Sequence, residues 1–165
     1  MHDFYLYSPY VYNPSNKFDI FLASVFEDSE FESWKVCKKR KLKFNNNIEK
    51  ELIKIKKRIF LPYKELRALS QPCFMAGIAI SRTDLVLVDL GIPSCAVGMM
   101  FQMAVNNFSR VISFQDLNDP YHRDNPQLEG VLEKYCLERL YFNKDEEGLE
   151  KIMESIKKFY DNYSN

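Results

Sequence analysis

The stretch SRTDLVLVDLGIPSCAVGMMFQMA, Ser81 to Ala104, constrains the fold more than any other part of the chain. Leu85 to Leu90 is a near-continuous aliphatic run, with Asp84 ahead of it and Asp89 inside its end. A short run without polar alternation suits a central parallel strand covered on both faces. Gly91, Pro93 and Ser94 break it. Ala96, Val97, Met99, Met100, Met103 and Ala104 then recur at helical spacing, with Gly98 in the first turn. Strand, loop and helix start in this order put polar strand-end residues and free helix N–H groups beside one crevice, the ligand position of open α/β sheets.

The rest of the chain can be arranged around that strand. Phe4 to Ser8 (FYLYS) reads as a first strand, ended by Pro9. Phe18 to Phe26 carries apolar residues at helical spacing and is assigned to helix, with DIFLASVF as a buried strand the alternative. Ser29 and Glu32 form a capping-box pattern for a helix through Trp34 to Arg40, whose basic run KKRK reads as a solvated helix end favoured by the dipole. Asn45 to Asn47 punctuate the chain. Ile48, Leu52, Ile55 and Ile59 then mark a further helix stripe, followed by a strand from Ile59 to Pro62. Ser70 to Ile80 reads as a helix, Ser94 to Asn107 as another, Arg110 to Phe114 and Leu137 to Phe142 as strands, and Asp145 to Tyr160 as a last amphipathic helix. In that helix Leu149, Ile152, Met153, Ile156 and Phe159 point inward. The polar loop Gln115 to Asn125 is suited to border a site. The alternation predicts one α/β domain over residues 1–165, a doubly wound, mainly parallel sheet of about five strands of the flavodoxin or Rossmann type.

Composition narrows the partners. Lys and Arg balance Asp and Glu at 23 each, so there is no basic field for nucleic acid, and a small ligand is favoured. Cys37, Cys73, Cys95 and Cys136 are scattered without C-x-x-C pairing and read as reduced thiols. His2 and His122 are the only histidines, which argues against a histidine-centred catalytic site or a histidine-rich metal cage. The first residues carry no basic n-region, and no apolar run reaches the roughly 18 residues of a membrane span, so a cytoplasmic protein is expected.

Two separated stretches resemble the nucleoside 2-deoxyribosyltransferase family. YLYSPYVYNP, Tyr5 to Pro14, is similar to the family's opening strand and turn, Y-L-A-G-P-x-V-F-x-P. Asp84 to Ala104 is similar to its D-x-V-x-x-D strand followed by a G-M-E-x-G-x-A helix start. The resemblance implies an enzyme of nucleoside salvage that attacks the anomeric carbon of a 2-deoxynucleoside with a glutamate and passes the sugar to another base or to water. It implies no cofactor or metal, and a homo-oligomer that completes its sites across subunits. By position Tyr5 would orient the nucleophile, and Asp84 and Asp89 would contact the base or transfer a proton. Ser8, Pro9, Ser94, Gly98 and Met100 would border the substrate. If DIFLASVF is the first strand instead, Phe21 takes the tyrosine position and the phenol is lost.

The chain departs from the pattern where it matters most. Met100 stands where the resemblance puts the glutamate, and a thioether cannot make that attack. Either another acid has taken over, Asp84 and Asp89 being nearest, or the protein binds nucleosides without turning them over. Each residue also has a plainer role: Asp89 as a turn cap, Asp84 as a strand boundary, Tyr5 and Tyr7 as core aromatics, and the methionines as packing. On the family reading, Met100→Glu should create or raise cleavage of deoxynucleosides, read as released base.

Overall fold

The computed structural model describes residues 18–24, 32–65, 72–91, 94–119 and 126–163. Five strands, β1 (Ile20–Ala23), β2 (Ile59–Phe60), β3 (Leu85–Asp89), β4 (Arg110–Asp116) and β5 (Cys136–Phe142), form one sheet in the order β2-β1-β3-β4-β5. Every neighbouring pair is parallel. The helices are α1 (Glu32–Lys54), α2 (Pro62–Glu65), α3 (Pro72–Ile80), α4 (Cys95–Asn106), α5 (Pro126–Tyr135) and α6 (Asp145–Tyr163). β3 is central, as its aliphatic run predicts, and all five of its residues are buried.

Strand periodicity sorts side chains onto two faces. Leu85 and Leu87 of β3 join Ile20, Leu22, Ile112, Phe114 and Phe142 on one face, which is covered by Phe44, Ile48 and Leu52 of α1 and by Ile152, Ile156 and Phe159 of α6. Val86 and Val88 join Phe21, Ala23, Phe60 and Val111 on the other, under α3, α4 and Leu132 of α5. Both faces are closed, which is why the strands lack polar alternation. Phe44, Phe114 and Phe142 form an aromatic cluster with ring centroids 5.4 to 6.4 Å apart. The sheet ends differently on its two sides, with only two residues in β2 and seven in β5, where Lys151 Nζ donates to the Tyr141 carbonyl at 2.7 Å.

Three expectations are corrected. Ile20–Ala23 is a strand rather than helix; with Phe21 stacked on Phe60 and Leu22 buried opposite, both faces of the segment are apolar, and helical spacing could not tell that from a helix. Residues 32–54 form one helix, so Asn45 to Asn47 do not interrupt the chain; Asn45 is buried and its side chain is bonded. Pro126–Tyr135 is a helix the sequence reading did not assign, and Ile55, expected on a helix stripe, lies beyond the end of α1. The Phe4 to Ser8 strand and Ser29 fall outside the described residues.

Helix α6 approaches β5 closely at Gly148, where a Cβ would stand 2.6 Å from two carbons of the Phe142 ring. Phe142 is 1% exposed and cannot swing away. Gly148→Ala should therefore destabilise despite its better helix propensity, by about 1–3 kcal/mol as in overpacked cores. Gly77→Ala in α3, where the nearest atom is 3.6 Å away, should be neutral or stabilising by up to about 1 kcal/mol. Urea unfolding of the two variants checks both signs.

Candidate functional site

Strand β1 is followed toward one sheet edge by β2, whereas β3 leads on toward the other through β4 and β5. The crevice beyond the carboxyl ends of β1 and β3 is thus the topological switch point. The polar residues at those ends fall on the α1 face by alternation: Ser24 in register with Ile20 and Leu22, Asp89 with Leu85 and Leu87, and Asp116 with Ile112 and Phe114.

Helix α1 meets them with the same stripe that builds the core. Lys41, Asn45, Ile48 and Leu52 are spaced three or four residues apart, with Phe44 beside Asn45, so one face is polar at the strand ends and apolar further down. Lys41 Nζ lies 2.9 Å from Asp89 Oδ1 and 2.8 Å from Asp119 Oδ2, with its side chain 2% exposed. Arg40 Nη2 reaches Asp116 Oδ2 at 3.0 Å and pairs with Asp119 Oδ1. Ser24 Oγ donates to Asp89 Oδ2 at 3.0 Å, and Asn45 Nδ2 donates to Ser24 Oγ at 2.9 Å. The Gly91 N–H donates to Asp89 Oδ1 at 3.0 Å. Asp116 Oδ1 accepts from the Asn118 N–H at 2.8 Å and so shapes the turn that carries Asp119. Asn45 Oδ1 is buried and has no hydrogen-bond partner among the described residues.

Gly91 is required by close approach. A Cβ there would overlap the Asp119 carboxylate and stand 2.5 Å from Lys41 Nζ. Burial pulls the Lys41 pKa down, but Asp89 and then Asp119 outweigh it, and the result lies above the ordinary 10.5. For Asp119 burial dominates and raises the pKa, with Lys41 opposing. The two directions are compatible because one ammonium serves two carboxylates.

The structure brings some expected site residues together and separates others. Asp89 is the last residue of β3, is wholly buried below the crevice and caps the Gly91 turn. Asp84 precedes β3, with its N–H bonded to the Asp19 carbonyl at 3.0 Å, and a five-residue strand spanning roughly 16 Å separates it from Asp89. Ser94 is the N-cap of α4, accepting from the Val97 N–H at 3.4 Å. Gly98 is exposed, and a Cβ there would project into open space. Met100 is 3% exposed and belongs to the core under α3 and α4, on the opposite face of the sheet from Asp89. Tyr5, Ser8 and Pro9 lie outside the described residues. Asp116 and Asp119 come from the polar stretch 115–125 that the sequence suggests as a site border, whereas the sequence reading assigns no site role to Arg40, Lys41, Asn45 or Ser24. The signal available was the continuation of the Ile48 and Leu52 stripe back to Lys41. The KKRK run is not a solvated helix end: it lies inside α1, where Lys41 faces buried carboxylates.

Among the described residues no three His, Cys, Asp or Glu side chains are grouped to hold a metal, and no helix is long and apolar enough to cross a membrane. No family model and no curated protein matches the chain. Among solved structures it is similar to the Clostridium botulinum CMP N-glycosidase BcmB, with a TM-score of 0.59 and 18% sequence identity over 82% of this chain and 98% of that one. The likeness agrees with the all-parallel, five-stranded α/β architecture.

The Lys41 ion pairs give a pH dependence with a definite sign. The native pKa lies above the unfolded value of 10.5, so the pairs' contribution is complete below pH 10.5 and is lost as pH rises through the higher native value. Lys41→Met should lose about 3–5 kcal/mol at neutral pH, the cost of leaving buried charges without a partner. The gap between the variant and the natural protein should narrow in strong alkali, as measured by urea unfolding from pH 7 upward.

Proposed function

We propose that this protein takes a nucleoside or nucleotide into the crevice beyond β1 and β3 and acts on the bond between sugar and base. The observation that carries this reading is the Asp89, Ser24 and Asn45 chain at the switch point of a fold shared with a CMP N-glycosidase. In its finer form the substrate is a 2-deoxynucleoside and the sugar passes to a second base or to water, as the two sequence stretches imply. Asp89, buried and bonded through both oxygens, would hold the floor beneath the ligand, and the α4 N-terminus would border it.

Asp89 is poorly suited to attack the anomeric carbon. Lys41 and the Gly91 N–H hold one oxygen and Ser24 holds the other, and each bond lowers the availability of its lone pairs. This favours a holding role for Asp89, with water or a carboxylate elsewhere in the chain as the nucleophile. A second reading, binding without turnover, is supported by Met100, whose thioether replaces the expected glutamate and points into the core.

Incubation with CMP, dCMP and purine and pyrimidine deoxynucleosides, with and without an acceptor base, separates the readings. Release or exchange of base supports the enzyme, and calorimetric binding without release supports the second reading. Neither release nor binding defeats both. Met100→Glu no longer carries the expectation of a gain: its carboxylate would enter an apolar core, so the expected outcome is a loss of several kcal/mol in stability with no rise in base release.

A further inference from the structure

We infer that the end of the molecule at the amino termini of the strands is a docking surface for an anionic lipid bilayer. This end lies opposite the crevice of the proposed function, and the inference does not depend on that reading.

In an all-parallel sheet each helix returns the chain to the amino end of the next strand, so the helix ends collect on one side. Side-chain contacts tie them together there. Tyr160 of α6 donates to the Asp19 carbonyl just ahead of β1, and Lys57 Nζ lies 3.4 Å from the centre of the Tyr160 ring. The Arg110 guanidinium at the start of β4 lies 4.6 Å from the centre of the Tyr163 ring, and Leu137 at the start of β5 lines one groove with Tyr163. Nine large apolar side chains are exposed among the described residues, and six of them stand at this end: Ile53, Ile55, Phe108, Tyr135, Leu137 and Tyr163. The same segments, 53–58, 81–84, 107–110, 133–137 and 161–163, expose six cations against two carboxylates, Glu133 and Asp161, with Asp19 and Asp84 half-buried. Neutrality of the whole chain thus conceals a cationic, apolar-tipped end.

Two helix caps at this end are built against their own preference. In α4 the Ser109 N–H donates to the Ala104 carbonyl and the Phe108 N–H to that of Val105, the paired bonds of a Schellman cap. In α1 Lys57 and Lys56 donate to Leu52 and Ile53 in the same pattern. The residue that turns such a cap is left-handed and is usually glycine. Here it is Phe108, at φ 55°, and Lys56, at φ 58°. Phe108 is 95% exposed, so its ring returns nothing to the fold for that strain. A side chain held out in this way suits an apolar medium outside the molecule.

The mixture selects the partner. A second copy joined by a two-fold axis would set this cationic end against itself. A nucleic acid would engage the cations but leave Ile53, 64% exposed, with Ile55 and Leu137 in water. An anionic bilayer takes both kinds of group, drawing lysine and arginine to its headgroups and admitting isoleucine, phenylalanine and tyrosine at the acyl boundary.

The test sediments the full chain with vesicles of phosphatidylcholine containing phosphatidylserine, with vesicles of phosphatidylcholine alone, and with added salt. Binding should be stronger to the anionic vesicles by about tenfold or more and should fall as salt rises. Lys56→Gly combined with Phe108→Gly removes one cation and one ring while relieving both left-handed caps. It should melt no lower than the natural protein yet bind anionic vesicles about tenfold or more weakly. Phe108→Trp supplies a local readout that survives if the double variant does not fold: its emission should shift to the blue on binding, measured against the natural protein, whose only tryptophan is Trp34. No sedimentation with anionic vesicles overturns the inference, as does equal binding by a folded double variant or bound Phe108→Trp without a shift. Retention on an RNA oligonucleotide but not on vesicles also overturns it, in favour of a nucleic-acid surface.

Discussion

One ammonium shared by two carboxylates governs the carboxyl end of this sheet. Lys41 comes from the middle of α1, Asp89 from the end of the central strand and Asp119 from the turn after β4, so three separate parts of the chain are fixed to one point. A charge this deeply buried is costly unless every partner is in place. The surrounding choices follow from that cost: a glycine at 91, a turn closed by Asp116, and a second cation, Arg40, to share the carboxylates.

The fold and the site divide along the two faces of the sheet. On the α3 and α4 side the helices cover a cluster of apolar side chains, and Met100 is one more core residue there. On the α1 side the apolar stripe of the helix gives way to Lys41 and Asn45 as it reaches the strand ends. The alternation of β3 decides which side each residue serves. Asp89 falls in step with Leu85 and Leu87 and is delivered to α1, so a carboxylate and a methionine that are neighbours in the sequence motif never share a wall.

Much of the architecture was legible in the residues. The β3 run, helix α4, β4, β5 and the inward face of α6 follow from periodicity, because each has one clear period and a marked end. Ile20–Ala23 was ambiguous since a strand buried on both faces has no alternation. The site was legible at Asp89 and in the polar stretch that carries Asp116 and Asp119. Lys41 stood in a basic run that looks like any solvated helix end, and its partners lie 48 and 78 residues away. Burial of a charge depends on tertiary packing, which a local pattern does not record.

The unequal sheet edges bear on how the molecule behaves among copies of itself. An edge strand offers unpaired backbone groups to any other extended chain. β2, at two residues, offers almost no template, so sheet growth from that side is blocked by brevity. β5 is long enough to recruit a strand, yet it carries Glu138 and Arg139 along its length and has the Tyr141 carbonyl occupied by Lys151. Colloidal stability of this fold is therefore entrusted to a few side chains on one border, and conditions that neutralise or screen those charges act first there.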